Sequence, residues 1–225
     1  MTFAEYADID AVNWSTLSAM RDSPLHYAHR LRTPRPDTPA LAMGRAIHTA
    51  VLEPDAFPLG YVVRPDGIDR RTKAGKEAWA NLVAASADRT ILDADDYARC
   101  LAMRDAVRSH PTARRYLADL RTEIPLVWDD PATGLRCKAR LDGYSEEGGL
   151  VELKSARTVD PVRFGAQAAR LGYHCQVAHY RAGLVAVAGA AANLPVVIVS
   201  VESEAPHDVV VYSVDEDLLY AGEEE

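Results

Sequence analysis

Three strand-like runs between residues 121 and 154, each closed by Asp, Pro or Gly, constrain this chain more than any other feature. Residues 121–128 (RTEIPLVW), 135–142 (LRCKARLD) and 150–154 (LVELK) have the apolar and β-branched content of strands, and DDPATG and GYSEEGG supply the turns between them. Residues 161–171 and 173–190 then read as helices, and residues 196–202 and 208–213 as two further strands. Upstream the pattern is helical. A short helix is capped by Asn13 or Ser15, a second is opened by Ser23-Pro24, and a third covers residues 40–53 and is stopped by Pro54. The proline-rich connector at residues 33–39 has neither period. A short strand at residues 61–64 leads into a polar, basic loop and a helix over residues 76–85. Residues 90–109 read as a strand followed by an Asp93-capped helix, and residues 110–120 as one more capped helix. Helices, three strands, two helices and two strands in that order describe an α/β core, a central mixed sheet flanked by helices. The tail VDEDLLYAGEEE is expected to lack the helix that would pack behind a last strand, as in a short or truncated chain.

A chain of 225 residues with 48% apolar content buries one sizeable core. A single domain is therefore expected, with a helical region over residues 1–60 and the α/β core over residues 61–225. Cys100, Cys137 and Cys175 lie far apart without C-x-x-C spacing. They give no zinc or disulfide framework, count against a four-cysteine iron–sulfur cluster and point to a reducing cytosol. The acidic start, MTFAEYADID, lacks the apolar core of a signal peptide, and the most apolar stretch, residues 182–194, is too short for a bilayer. A cytoplasmic chain with no membrane partner is expected. The net charge of −8 excludes a uniformly basic protein, so any contact with nucleic acid has to rest on local clusters. One cluster is Arg21, Arg30, Arg32, Arg35 and Arg45. The denser one is Arg70, Arg71, Lys73 and Lys76, expected on a loop free to approach a duplex.

Asp142, Glu152 and Lys154 carry the chemistry. Residues two apart on a strand share a face, so Glu152 and Lys154 project together while Val151 and Leu153 face the other way. A hairpin-like turn over residues 145–149 would bring Asp142 back beside them. Two carboxylates at a strand end with an ammonium beside them suit a divalent-metal site for phosphodiester hydrolysis. Oxygen ligands hold Mg2+ or Mn2+, the ion acidifies water, and the lysine orients that water or offsets developing charge. The same spacing also arises on an ordinary solvated strand face. The apolar flanks Leu150, Val151 and Leu153 argue for a central strand whose charged positions emerge at its end.

Asp142, then Glu152-Leu153-Lys154, then Gln176 and Tyr180 four apart, resemble the motifs of the PD-(D/E)XK nuclease superfamily, and within it the RecE branch of phage-type exonucleases. Gly44 and His48 with Leu52-Glu53-Pro54 are similar to that branch's Gly-x-x-x-His helix and its ending, and SPLHYAHRL at residues 23–31 to its N-terminal Ser-Pro helix. The likeness runs from about residue 13 to about residue 212 and implies a restriction-endonuclease-like fold.

The resemblance further implies His48 as a metal ligand, the Leu153 carbonyl as a backbone ligand, and Glu123 as a secondary acidic candidate near the metals. It implies that Gln176 and Tyr180 line the site and touch the DNA backbone. Without it, His48 reads as a packed or surface histidine, Glu123 as an edge-strand carboxylate, and the Gln176–Tyr180 spacing as ordinary. The activity implied is Mg2+-dependent 5′→3′ digestion of double-stranded DNA ends in phage recombination, with a single-strand annealing protein and a homo-oligomeric ring as implied partners. Two other readings stay open: a different nuclease on the same fold, of the CRISPR-adaptation or structure-specific kind, and a non-catalytic DNA-binding module.

Overall fold

The structure, a computed structural model, describes residues 1, 3–33, 36–86, 89–191 and 193–225. Arg35 of the first basic cluster lies outside the described residues. Five helices open the chain: α1 (Phe3–Ala7), α2 (Trp14–Leu17, followed by a 3-10 turn over Ser18–Arg21), α3 (Pro24–Arg32), α4 (Pro39–Leu52) and α5 (Phe57–Gly60). Asn13, Ser23 and Thr38 cap α2, α3 and α4 by accepting a backbone N–H of the first turn. Next come β1 (Tyr61–Val63), α6 (Lys73–Ser86), β2 (Thr90–Leu92), α7 (Ala94–Ser109) and the single turn α8 (Ala113–Tyr116). The core elements follow: β3 (Arg121–Asp129), β4 (Arg136–Ser145), β5 (Gly149–Ala156), α9 (Pro161–Leu171), α10 (Tyr173–Ala188), β6 (Val196–Glu202), β7 (Val209–Ser213) and α11 (Glu216–Glu224).

The main sheet has the order β3-β4-β5-β6-β7, antiparallel except for the parallel β5–β6 pair that α9 and α10 connect. The mixed α/β architecture read from the sequence is therefore the observed one. Period-two alternation sends Val151, Leu153, Val197, Val199 and Val201 to one face, against Ala46, Ile47, Ala50 and Val51 of α4 and Cys100, Met103 and Val107 of α7. Leu150, Ala156, Val196 and Ile198 face the other way, with Leu141, towards Phe164 of α9, Val177, Ala178 and Leu184 of α10 and Leu219 of α11. β5 is thus buried on both faces, which is why it reads as a nearly unbroken apolar run. Gly149 has φ +75°, and a Cβ there would stand 2.0 Å from Pro195 O, so the start of β5 admits only glycine.

Two expectations need correction. α6 begins at Lys73, so Lys73 and Lys76 stand on a helix and only Arg70 and Arg71 stay in the loop. The tail does form a helix, α11, because Asp215 caps it and Arg181 of α10 binds Glu216 at 2.7 Å and Glu223 at 3.0 Å.

One break in the sheet positions the candidate site. β4 and β5 pair only at Gly143↔Val151, Tyr144↔Leu150 and Ser145↔Gly149. Beyond these pairs they diverge, β4 staying with β3 and β5 with β6. At the far end of the opening, Val12 bridges Cys137 in parallel, and the buried Lys138 ammonium donates to Tyr6 O, Ala7 O and Ile9 O at 3.0, 3.0 and 2.6 Å. The N-terminal segment is pinned there, and a fork remains between the two strands.

Candidate active site

Asp142 is the first β4 residue past the last β4–β5 pair. Its Oδ2 accepts the Leu153 N–H at 2.7 Å, standing in for the ladder partner that β5 has lost. A strand residue sends its N–H and C=O to the same edge, so the Leu153 carbonyl leaves β5 on the fork side as well. Because Leu141 faces α10, Asp142 turns towards α4, where His48 Nδ1 lies 3.2 Å from Asp142 Oδ1. A Cβ on Gly44, one turn before His48, would meet nothing within 4 Å, so among the described residues no element occupies that space.

Glu152 and Lys154 do share a face, the one towards α10. Lys154 Nζ donates to Glu152 Oε1 at 2.6 Å and to Gln176 Oε1 at 2.9 Å, and Gln176 Nε2 donates to the Tyr180 hydroxyl at 3.0 Å. The ammonium also lies 4.6 Å from the centre of the Tyr173 ring. Alternation therefore brings Asp142 and His48 into the fork from one layer, and Glu152, Lys154, Gln176 and Tyr180 from the other.

Glu123 lies opposite Asp142 on β3, where the register passes from Thr122↔Gly143 to Ile124↔Leu141. Its φ is +53°, the left-handed region that non-glycine residues occupy at a cost of about 1–3 kcal/mol and that clusters at functional sites. Arg140 Nε donates to its Oε2 at 2.5 Å. The ligand atoms of His48, Glu123 and Asp142 all lie within 4.8 Å of one another. Glu123, secondary by sequence, thus joins His48 and Asp142 in one group, to which Glu152 does not belong.

The electrostatics are those of a site short of positive charge. Glu152 is 1% exposed, and its Oε2 is fully buried without a hydrogen-bond partner. Burial, reinforced by the Asp142 carboxylate and only partly relieved by Lys154, pushes its carboxyl up to about 7. Burial also raises Asp142, but His48, Lys154 and the Leu153 N–H outweigh it and hold that carboxyl low. For Lys154 and His48 burial works downward, and the neighbouring carboxylates more than offset it, so both are raised. Tyr180 is pushed well above its usual value, chiefly by burial, and stays a neutral hydroxyl. A buried carboxylate oxygen with no donor, beside a second carboxylate and an imidazole, fits a divalent cation.

A cavity of about 360 Å³ opens beside the fork, with Arg140, Tyr180, Lys138, Asn13 and Ser15 in its lining. The basic candidates lie apart on their own segment. Arg70 stacks over Trp79 at 4.6 Å, and Arg71 makes a two-pronged pair with Asp69 at 2.9 and 3.0 Å. Sequence reasoning missed Arg140 and Tyr173. Arg140 had a signal, since it stands two residues before Asp142 on the same strand face. Tyr173 had none, because its partner is a lysine 19 positions earlier on another element.

Among the described residues, no helix is long and apolar enough to cross a membrane. No curated protein matches the chain. Over its whole length it is similar in fold to the crystal structure of an exonuclease candidate from Eubacterium rectale, with a TM-score of 0.66 at 13% identity, covering 100% of this chain and 81% of that one. Residues 13–225 match the family described as a PDDEXK-like domain of unknown function (DUF3799). The chain belongs to this PDDEXK-like family, and through it to the PD-(D/E)XK nuclease superfamily.

Proposed function

We propose that the protein is a divalent-metal-dependent exonuclease acting on linear double-stranded DNA. The observation that carries this reading is the buried, donor-less Glu152 Oε2 at a fork that also holds Asp142, His48 and Glu123. Asp142, Glu152 and His48, with Glu123 and the Leu153 carbonyl, would hold Mg2+, with Mn2+ able to substitute. The ion supplies Lewis-acid activation of water and neutralises charge on the phosphate oxygens. Lys154 is an ammonium, since its pKa is raised, and so acts as a donor rather than a base. It orients the attacking water and offsets charge developing on the phosphorane. Gln176 aims Lys154, and the neutral Tyr180 hydroxyl offers a donor to the phosphate backbone. Water attacks phosphorus in line, the bond to the 3′ oxygen breaks, and the products carry a 5′-phosphate and a 3′-hydroxyl.

The RecE-like motif order supports 5′→3′ polarity, a cytoplasmic setting in phage-type recombination, a single-strand annealing partner and a ring assembly. Arg70, Lys73 and Lys76, with Arg71 beside Asp69, are the candidate phosphate contacts away from the fork. The test is digestion of linear duplex labelled at either end, with Mg2+ and with chelator, beside nicked, circular and single-stranded DNA. Release of the 5′ label first, only with metal and only from linear duplex, is the expected result. Cleavage of nicked or branched DNA in preference to ends would favour a structure-specific nuclease, and no cleavage of any DNA with Mg2+ or Mn2+ would refute the reading.

A further inference from the structure

A second group of ligating side chains lies at the N-terminal end of α10. Sequence spacing gave no zinc framework here, because two of its members are adjacent and the third is 50 residues further on. The end of α11 crosses the start of α10 so closely that a Cβ on Gly222 would stand 2.6 Å from His174 O. That crossing brings Glu225 onto His174 and Cys175. His174 Nε2 lies 3.4 Å from Glu225 Oε1 and 3.4 Å from Cys175 Sγ, and Cys175 Sγ lies 3.3 Å from Glu225 Oε2.

The Nε2–Sγ separation matches one edge of a zinc tetrahedron, each of these two atoms meets a different oxygen of the Glu225 carboxylate, and one ligand atom from each of the three residues lies within 4.8 Å of the others. Bonds of about 2.0–2.3 Å at tetrahedral angles place neighbouring ligand atoms roughly 3.3–3.5 Å apart. A thiol, an imidazole and a carboxylate also make a donor set suited to Zn2+ and poorly suited to Mg2+. The surroundings fix the carboxylate. Arg21 Nε donates to Glu225 Oε2 at 3.0 Å, while its Nη1 and Nη2 donate to Arg170 O and Ala169 O at the end of α9, both at 3.1 Å. Its charge opposes a dication. It also supplies the outer hydrogen bond that ligating carboxylates characteristically have, and it leaves Oε1 turned to His174.

The geometry points to a zinc-type metal site formed by His174, Cys175 and Glu225, with one position open to water or a further ligand. Binding exchanges the Cys175 S–H bond for a sulfur–metal bond and releases one proton to solvent. Without metal the Cys175 S–H faces Glu225 Oε2 at 3.3 Å. The ion would staple the end of α11 to α10 immediately before Gln176. The site shares no ligand with the fork, whose candidate side-chain ligands His48, Glu123, Asp142 and Glu152 carry no sulfur.

Co2+ titration of the metal-free, reduced protein tests the assignment, because a thiolate ligand gives a near-ultraviolet charge-transfer band that a nitrogen and oxygen site lacks. The expected result is one such band per chain, bleached by Zn2+, kept in Glu152→Gln and lost in Cys175→Ser. His174→Gln should weaken Zn2+ binding by at least the roughly 10–100-fold typical of losing even an outer partner. Absence of the band, or its survival in Cys175→Ser, overturns the site, as Cys100 or Cys137 would then be its source. Should Cys175→Ser lack a native circular dichroism spectrum, His174→Gln decides, and unchanged Zn2+ affinity in that variant overturns the site equally.

Discussion

Replacing Glu152 by glutamine should make the metal-free protein less sensitive to alkali. In the wild type the Glu152 carboxyl titrates at about 7 instead of 4.5. A carboxyl whose folded pKa is raised contributes stability that is complete below its unfolded pKa and is lost as pH rises through the folded value. From pH 5 up to about 7 the folded state holds a proton that the unfolded chain has released, so stability falls between pH 5 and 8, mostly below the folded value. With one unit worth about 1.36 kcal/mol, linkage over this window gives a loss of about 2 to 3 kcal/mol. His48, also raised, loses stability in the same direction, whereas Asp142, lowered, changes only at more acidic pH. Glutamine keeps the shape of the neutral acid and removes the titration. Urea unfolding in chelator at pH 5 and pH 8 should therefore find Glu152→Gln gaining about 2 to 3 kcal/mol on the wild type between the two values. Adding Mg2+ at pH 8 should stabilise the wild type more than the variant. Identical pH dependence in the two proteins would refute the view that this carboxylate is buried without enough compensating charge.

Lys154→Ala should abolish cleavage while calorimetric Mg2+ affinity largely survives, because the ammonium touches Glu152 and Gln176 and offers no ligand atom. Loss of metal binding in that variant would reassign Lys154 to building the site. His48→Ala should weaken metal binding and activity, with partial recovery in raised Mn2+, and unchanged affinity by calorimetry would return His48 to a packing role. An Arg70→Ala/Lys73→Ala variant should lower the log–log salt slope of DNA binding in Ca2+ by about two, near 0.9 per contact, while Arg71→Ala changes it less because Asp69 already holds that guanidinium. An unchanged slope in the double variant would mean that this segment is merely solvated.

Where punctuation and period agreed, the elements were legible to the residue. α9 is bracketed by Asp160, which caps it, and by Gly172 at φ +69°, and β6 is a run of β-branched residues buried on both faces. α11 was illegible because its acids read as solvated charge, and their partner Arg181 is a buried residue of α10 that no local pattern reveals. The shared face of Glu152 and Lys154 followed from strand period alone. The fork did not, since a missing ladder partner leaves no mark in sequence. With the fork went the left-handed turn of Glu123, its Arg140 partner and the stacking of Lys154 on Tyr173.

Asp142 and Glu152 of the candidate site stand on different plates. Asp142 is tied by its strand to β3 and the pinned N-terminal segment, and Glu152 by its strand to β6 and β7. Only three residue pairs form the isthmus between them. Their spacing is therefore governed by that isthmus, by the Leu153 N–H bond to Asp142 and by the helices above and below, and a cation held by both would act as a cross-brace. A side chain at Gly149, forced off Pro195 O at the base of the isthmus, would swing Glu152 relative to Asp142 without touching either carboxylate.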